Sequence, residues 1–315
     1  MSTSGIWTEK YRPQKFSEFS GQNHIIPRIQ AFVEQQNIPH LLFAGPAGVG
    51  KSTLSLIIAK ELFKEQWKEN FLELNASDDR GINVVRETVK DFARTRTIGS
   101  VPFKIILLDE CDSLTREAQQ ALRRTMETYA HACRFILSCN FFSKIIDPIK
   151  SRCAVFKFRP LQKEEAIKVL EKIIEKEQLQ VEEIAKEKIL EAAEGDVRKI
   201  VNIIQAASSS NKAVTQYVIN EIVSTTETQE VKEILELTQE KDFITAKKRL
   251  SDLMLYSGQS GLDIIKTMQK EILNLNTDNH KKMEYIEKCG EIEFRLVEGS
   301  DEFIQLEALL ASLSK

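Results

Sequence analysis

Gly45-Pro46-Ala47-Gly48-Val49-Gly50-Lys51-Ser52 is a glycine-rich run ending in a lysine and a hydroxyl, and Asp109-Glu110 closes an aliphatic stretch farther along the chain. In such a loop the glycines let successive backbone N–H groups point inward at phosphate oxygens, and the following helix N-terminus adds positive potential. Gly45 through Ser52, with Thr53 starting the helix, are therefore the candidates for nucleotide binding. Lys51 is placed to reach the β and γ oxygens, and the Ser52 hydroxyl to ligate Mg²⁺. Asp109 would hold the same metal, directly or through water. Glu110, one residue on, would orient or deprotonate the attacking water. A glycine-rich turn arises by chance; the two runs in this order imply a chain that binds a nucleoside triphosphate with magnesium and hydrolyses it.

These groups need a strand before the loop, a helix after it, and a second strand that ends beside it. Leu41-Leu42-Phe43-Ala44 precedes the loop and a helical pattern runs from Thr53 to Phe63. Ile105-Ile106-Leu107-Leu108 reads as a buried parallel strand that delivers Asp109 at its carboxyl end. Further strand candidates are Phe71–Asn75, 135–138 and 155–158, with helical stretches between them. That alternation implies an α/β domain with a parallel sheet over residues 1–160, with active residues at the strand carboxyl ends.

From about residue 161 the pattern turns helical and strands are not expected. Helices are expected over 164–176, with Ala166, Val169, Leu170 and Ile173 on one face, and over 184–194, 197–208 and 215–223. Ser208-Ser209-Ser210-Asn211 reads as a polar break and Ser224-Thr225-Thr226-Glu227-Thr228 as a linker. This gives a small helical domain over 161–226 and an all-α domain of about five helices over 227–315. Val231/Ile234/Leu235, Ile264/Ile265/Met268/Ile272 and Phe303/Leu306/Leu309/Leu310/Leu313 have the apolar spacing of buried helix faces.

Bulk properties narrow the class. The 315 residues are 42% hydrophobic and 29% charged, a globular composition too long for one ordinary core. No apolar run approaches the ~20 residues that span a bilayer, and the start Met1-Ser2-Thr3-Ser4-Gly5-Ile6-Trp7 lacks a signal-peptide layout. The five cysteines show no paired metal spacing and fit reduced thiols. A formal net charge of -3 excludes a globally basic nucleic-acid binder, so any such contact must come from a local patch.

Three further positions are ambiguous singly. Asn140 ends a strand, where its amide could hold the attacking water or the γ-phosphate, or simply make a turn. Arg152, in Ser151-Arg152-Cys153, reads as a surface charge. Arg198 follows Gly195-Asp196, a helix start, and could be plain surface. As an ordered set with the loop and with Leu107-Leu108-Asp109-Glu110-Cys111-Asp112, they resemble the AAA+ ATPases, and among them the small subunits of the clamp loader replication factor C, archaeal or eukaryotic. Trp7-Thr8-Glu9-Lys10-Tyr11-Arg12-Pro13, Asn75-Ala76-Ser77-Asp78-Asp79-Arg80-Gly81 and Ala121-Leu122-Arg123-Arg124-Thr125-Met126-Glu127 match that family too. The motifs cover the first 210 residues; the remainder matches by length and helicity. Ala47 departs from the family, which often has a second proline there, but the loop works through its backbone.

The resemblance implies an AAA+ domain, a helical lid and a C-terminal collar for oligomerisation. It makes Tyr11, Arg12 and Pro13 part of a box over the adenine. Asn140 becomes the first sensor and Arg198 the second, reaching the γ-phosphate from the lid. Arg152 becomes a finger acting in trans in the neighbouring subunit's site, an effect worth ~10³–10⁵ in rate in other phosphoryl-transfer systems. The implied substrate and metal are ATP and Mg²⁺. The implied partners are a large clamp-loader subunit and other small subunits in a pentameric ring, the sliding clamp (proliferating cell nuclear antigen) and primer–template DNA. The implied location is cytoplasmic and nucleoid-associated in an archaeon, nuclear in a eukaryote.

Residues 80–96 supply the local patch. Val85, Val89 and Phe92 form one helical face, with Arg86, Lys90 and Arg94 roughly opposite. The pattern alone fits an exposed basic stripe. The resemblance makes it a duplex-tracking helix and puts Arg80, Arg86 and Lys144 at DNA-contact positions, binding phosphates without reading sequence. Rival readings are another AAA+ DNA machine, such as a branch-migration motor or an initiator, and a scaffold that binds ATP without turnover. The helical, mixed-charge tail disfavours an initiator, and intact Lys51 and Glu110 disfavour the scaffold.

Overall fold

The computed structural model describes residues 5–77, 82–95, 97–99, 103–210, 213–223, 225–257 and 260–314. Two short helices, α1 (Trp7–Lys10) and α2 (Ile26–Glu34), precede a sheet of five parallel strands. These are β1 (Leu41–Ala44), β2 (Phe71–Asn75), β3 (Lys104–Asp109), β4 (Cys133–Cys139) and β5 (Ala154–Lys157), in the spatial order β2-β3-β4-β1-β5. Between them run α3 (Lys51–Phe63), α4 (Trp67–Asn70), α5 (Ile82–Arg94), α6 (Arg116–Thr128) and α7 (Asp147–Lys150).

The aliphatic runs form strands because each strand has two faces to bury. Leu41, Phe43, Ile105, Leu107 and Ile136 join one apolar cluster with Leu54, Ile58 and Leu62 of α3. Their neighbours Leu42, Ala44, Ile106, Leu108, Phe135 and Leu137 join the opposite cluster with Val89 of α5 and Leu122 of α6. Helices therefore cover both sides of the sheet. α6 starts where the Thr115 hydroxyl accepts from the Ala118 N–H at 3.2 Å, an N-cap that fixes the turn after β3.

The helical expectation after residue 161 holds for α8 (Lys163–Glu177), α9 (Glu183–Ala193), α10 (Val197–Ser210) and α11 (Gln216–Val223). It needs one correction: two-residue strands β6 (Gln180–Val181) and β7 (Ala213–Val214) pair in parallel beside these helices. Such short strands carry no periodicity that a sequence could show. The serine run is also no break through Ser210, since α10 absorbs it. Ser208 and Ser209 donate to the carbonyls of Gln205 and Ala206, at 2.8 and 2.7 Å, so the hydroxyls are satisfied within the helix.

By contact the chain divides into two compact units, Met1–Ile219 and Asn220–Lys315. The second contains α12 (Thr225–Gln239), α13 (Phe243–Ser257), α14 (Gly261–Asn274), α15 (Asn279–Val297) and α16 (Glu302–Leu313) around their own apolar core. The expected linker over 224–228 is thus helical from Thr225 on. The three expected apolar faces are buried except at Phe303, which stays 37% exposed at the start of α16. Ser260, Asp278 and Asp301 cap α14, α15 and α16 through their side chains.

Candidate nucleotide site

The strand order brings the chemistry together. β4 lies between β3 and β1, so the carboxyl ends of three adjacent strands carry Asp109, Asn140 and the glycine-rich loop. The Gly45 N–H donates to the Cys139 carbonyl at 3.1 Å, which ties the loop's start to the end of β4. Lys51 opens α3 with its side chain buried under the loop, and its Nζ donates to the carbonyls of Gly45 and Pro46, both at 2.7 Å, and to Asn140 Oδ1 at 2.9 Å. Burial pushes the Lys51 pKa down, and the nearby Asp109 carboxylate opposes that shift. The Ser52 hydroxyl donates to Asp109 Oδ2. A hydroxyl beside a carboxylate is a hard oxygen donor set that fits Mg²⁺.

Glu110 sits where β3 ends, in the left-handed region at φ 52°, and its side chain is exposed. Its N–H is held by Asp109 Oδ1 at 3.0 Å. A non-glycine residue with this backbone costs ~1–2 kcal/mol, and it turns the chain off the line of β3 directly after Asp109. Beneath them the Cys111 and Cys139 thiols are hydrogen-bonded, which raises the Cys111 pKa and lowers that of Cys139. All five cysteines are free.

Beside the loop opens a cleft of about 340 Å³. Its walls include the expected Tyr11, Arg12, Pro13, Gly48, Val49, Gly50, Ser52, Thr53 and Arg198. They also include Phe19, Val169, Ile173, Val201 and Asn202, which the sequence did not single out as site residues. Val169 and Ile173 fell on the expected apolar face of α8; that face turns out to serve both the core and the cleft. Phe19 carried no sequence signal.

Two segments close over the loop. The Val197 N–H at the start of α10 donates to the Gly48 carbonyl at 3.2 Å. The Asp196 carboxylate packs so closely on Gly48 that a Cβ there would lie 1.8 Å from Asp196 Oδ1. That carboxylate also accepts from the N–H groups of Arg198 and Lys199, at 2.8 and 3.1 Å, capping the helix that carries Arg198 to the cleft. The leading segment is pinned at three points. The Trp7 N–H donates to Gln205 Oε1 at 2.9 Å, Tyr11 Oη and Lys10 Nζ both meet Glu177, and Arg12 Nε donates to Thr53 Oγ1 at 3.3 Å. Burial and the Glu177 carboxylate push the Tyr11 pKa well up, so its hydroxyl stays a donor.

Arg152 stands apart from this cluster. Its guanidinium pairs with Glu127 at 2.5 Å and donates to the Pro148 carbonyl at 2.8 Å. Among the basic candidates, Lys90 and Arg94 are exposed on α5, while Val89 is buried and Phe92 half-buried on its inner face. Lys144 is exposed, with Nζ 5.0 Å from the centre of the Phe141 ring. Arg80 lies outside the described residues, and of Val85 and Arg86 only the helical backbone is described.

The fold and the loop–carboxylate arrangement define a P-loop ATPase. Residues 41–161 match the ATPase family associated with various cellular activities (AAA), and residues 226–312 match the replication factor C C-terminal domain. Replication factor C small subunit from Methanococcus vannielii is 49% identical over 307 residues, covering 98% of both chains. That from Archaeoglobus fulgidus is 47% identical over 314 residues, covering 100% of this chain and 98% of the relative. The Thermotoga maritima RuvB Holliday junction branch migration motor superposes with a TM-score of 0.59 at 16% identity, over 78% of this chain and 87% of that one, a likeness of fold alone. The chain belongs to the replication factor C small-subunit family. It is an ATP-hydrolysing enzyme and a clamp-loader ATPase subunit.

Proposed function

We propose that this subunit works in a ring with a large clamp-loader subunit and other small subunits, where bound ATP favours the state that grips an open sliding clamp and primer–template DNA, and hydrolysis releases both. The observation that carries this reading is the convergence of Lys51, Asn140, Ser52 and Asp109 at three adjacent strand ends, beside the cleft. The base would lie between Tyr11–Pro13 and the α8 and α10 side chains, under a lid formed by the helices after residue 161. Lys51 would exchange the Gly45 and Pro46 carbonyls for β and γ oxygens. Ser52 and Asp109 would hold Mg²⁺, which when bound neutralises phosphate charge. Glu110 orients or deprotonates the water, Asn140 positions it against the γ-phosphate, and Arg198 supplies a cation from the lid. Arg152 completes the neighbour's site.

Lys90, Arg94 and Lys144, with Arg80 and Arg86, would follow duplex phosphates without reading bases. Ile244, Leu255, Met283 and Phe294 are exposed on the unit Asn220–Lys315, apolar surface that suits subunit contacts in a collar. The archaeal relatives favour a cytoplasmic, nucleoid-associated setting over a nuclear one. The direct test is clamp loading onto primed circular DNA by the reconstituted ring, with ATP or with a non-hydrolysable analogue. The expected result is clamp opening with either nucleotide and release onto DNA with ATP alone. A ring that never retains clamp or primed DNA in either nucleotide would overturn the reading.

A further inference from the structure

We propose that Asp112 is a positioning residue for hydrolysis, holding Asn140 in place through the main chain. Asp112 lies in a short 3₁₀ turn, Cys111–Ser113, directly after Glu110. The β3–β4 ladder runs as far as the pair Leu108↔Leu137. Beyond it the Asp112 carboxylate continues the tie between the two strand ends. Its Oδ1 accepts from the Asn140 N–H at 3.2 Å and its Oδ2 from the Phe141 N–H at 3.0 Å.

This fork acts on a chain segment that leaves the sheet into an exposed turn, where Phe141 is 59% exposed. Hydrogen bonds from neutral N–H groups to a carboxylate are stronger than those to a neutral acceptor. With both N–H groups held, the Asn140 backbone is fixed relative to the turn that carries Glu110. Its side chain then reaches Lys51 Nζ at 2.9 Å. One carboxylate thus ties Asn140 to the turn that follows Glu110 and sets where the Asn140 amide stands beside Lys51. A displacement of about 1 Å in such a group can cost ~10²-fold in rate.

The inference rests on Asn140 acting at the γ-phosphate, so the experiment separates the two. The assembled ring is compared with wild-type subunit, Asp112→Asn, Asn140→Ala and the double variant, measuring ATP affinity by a fluorescent analogue and kcat with clamp and primed DNA. Asp112→Asn keeps the volume but turns one acceptor into a donor facing an N–H. The expected result is ATP affinity within about twofold of wild type, kcat down about tenfold or more, and less than about twofold further loss when the change is added to Asn140→Ala. Asp112→Glu keeps the charge but lengthens the arm; it should lower kcat likewise. It also serves in the cycle if the Asn variant does not fold, as judged by its melting temperature. Wild-type kcat in both Asp112 variants, or a full multiplicative loss on the Asn140→Ala background, overturns the inference while leaving the site reading intact. Wild-type kcat in Asn140→Ala overturns both.

Discussion

Lys51 is an ammonium stripped of most of its water and compensated by three oxygen acceptors of its own loop and of Asn140. That arrangement keeps a cation in reserve where phosphate charge arrives. Lys51→Ala should therefore abolish tight ATP binding, read by equilibrium titration with a fluorescent nucleotide. In the proposed mechanism Glu110 acts on the water rather than on the phosphates, and its side chain is exposed after a left-handed turn. Glu110→Gln should retain ATP and stop turnover, trapping clamp-bound complexes; equal single-turnover rates for the variant and wild type would remove Glu110 from its role. A second residue-scale effect is pH-dependent stability. His40 Nδ1 accepts from the Phe135 N–H at 3.0 Å, and burial, with help from the Arg134 charge, pushes its pKa down to about 4. The folded ring stays neutral while the unfolded one protonates below pH ~6.5. The His40 contribution is therefore intact above pH ~6.5 and is lost as pH falls toward 4, by ~2 kcal/mol after discounting for the partly exposed ring. Urea midpoints at pH 7 and 4.5 should diverge more for wild type than for His40→Gln.

At the scale of elements, the leading segment acts as a strap. It touches α3 through Arg12–Thr53, the end of α8 through Glu177, and α10 through Gln205. The cleft proposed for the base is lined by these same elements, so loosening the strap is expected to loosen the cleft. Tyr11→Phe keeps the ring and deletes the hydroxyl that meets Glu177. A hydrogen bond to a charged group contributes ~1.5–3 kcal/mol when buried, and less here because Tyr11 and Glu177 are only partly buried. The expected outcome is ATP affinity weaker by about threefold to tenfold, with kcat at saturating ATP close to wild type. Isothermal titration and steady-state kinetics on the assembled ring distinguish this from a catalytic defect, which would lower kcat instead.

On the scale of the whole molecule, the isolated chain holds its own Lys51, Asp109, Glu110 and Asn140 together but ties Arg152 to Glu127. A lone subunit should thus be a poor ATPase, rising with assembly and again with clamp and primed DNA. In mixed rings, Arg152→Ala should spare ATP binding in the subunit that carries it and cripple hydrolysis in its neighbour. Combining Arg152→Ala with Lys51→Ala subunits maps which sites die; a silent Arg152→Ala ring refutes the shared site. The exposed cations make a separate case. Replacing Lys90 and Arg94 with Ala should weaken DNA binding similarly across unrelated sequences. The salt dependence should become shallower by roughly one unit or less per lost phosphate contact. An unchanged slope returns α5 to an ordinary solvated face.

By itself the sequence determined the local pieces. Strands buried on both faces read as unbroken aliphatic runs, which made β1, β3 and the middle of β4 plain. The edge strands β2 and β5, partly exposed and mixed with polar residues, were legible within a residue or two from their place between helical patterns, and so were the loop, Asp109-Glu110 and the helices after residue 161. Their signals depend on neighbours along the chain: period, glycine spacing, capping residues. The tertiary structure alone decided what depends on neighbours in space. It put β4 between β3 and β1, which made Asn140 a partner of Lys51 rather than a turn residue. It brought Phe19 and Val201 to the cleft, pinned the leading segment to α8 and α10, and set the Asp112 carboxylate under the Asn140 and Phe141 N–H groups. β6 and β7 likewise exist only as a pairing of two residues with two others far along the chain. A carboxylate or a short strand looks alike in sequence whatever it meets. Its partner is chosen by the sheet order and helix packing that bury the two apolar clusters.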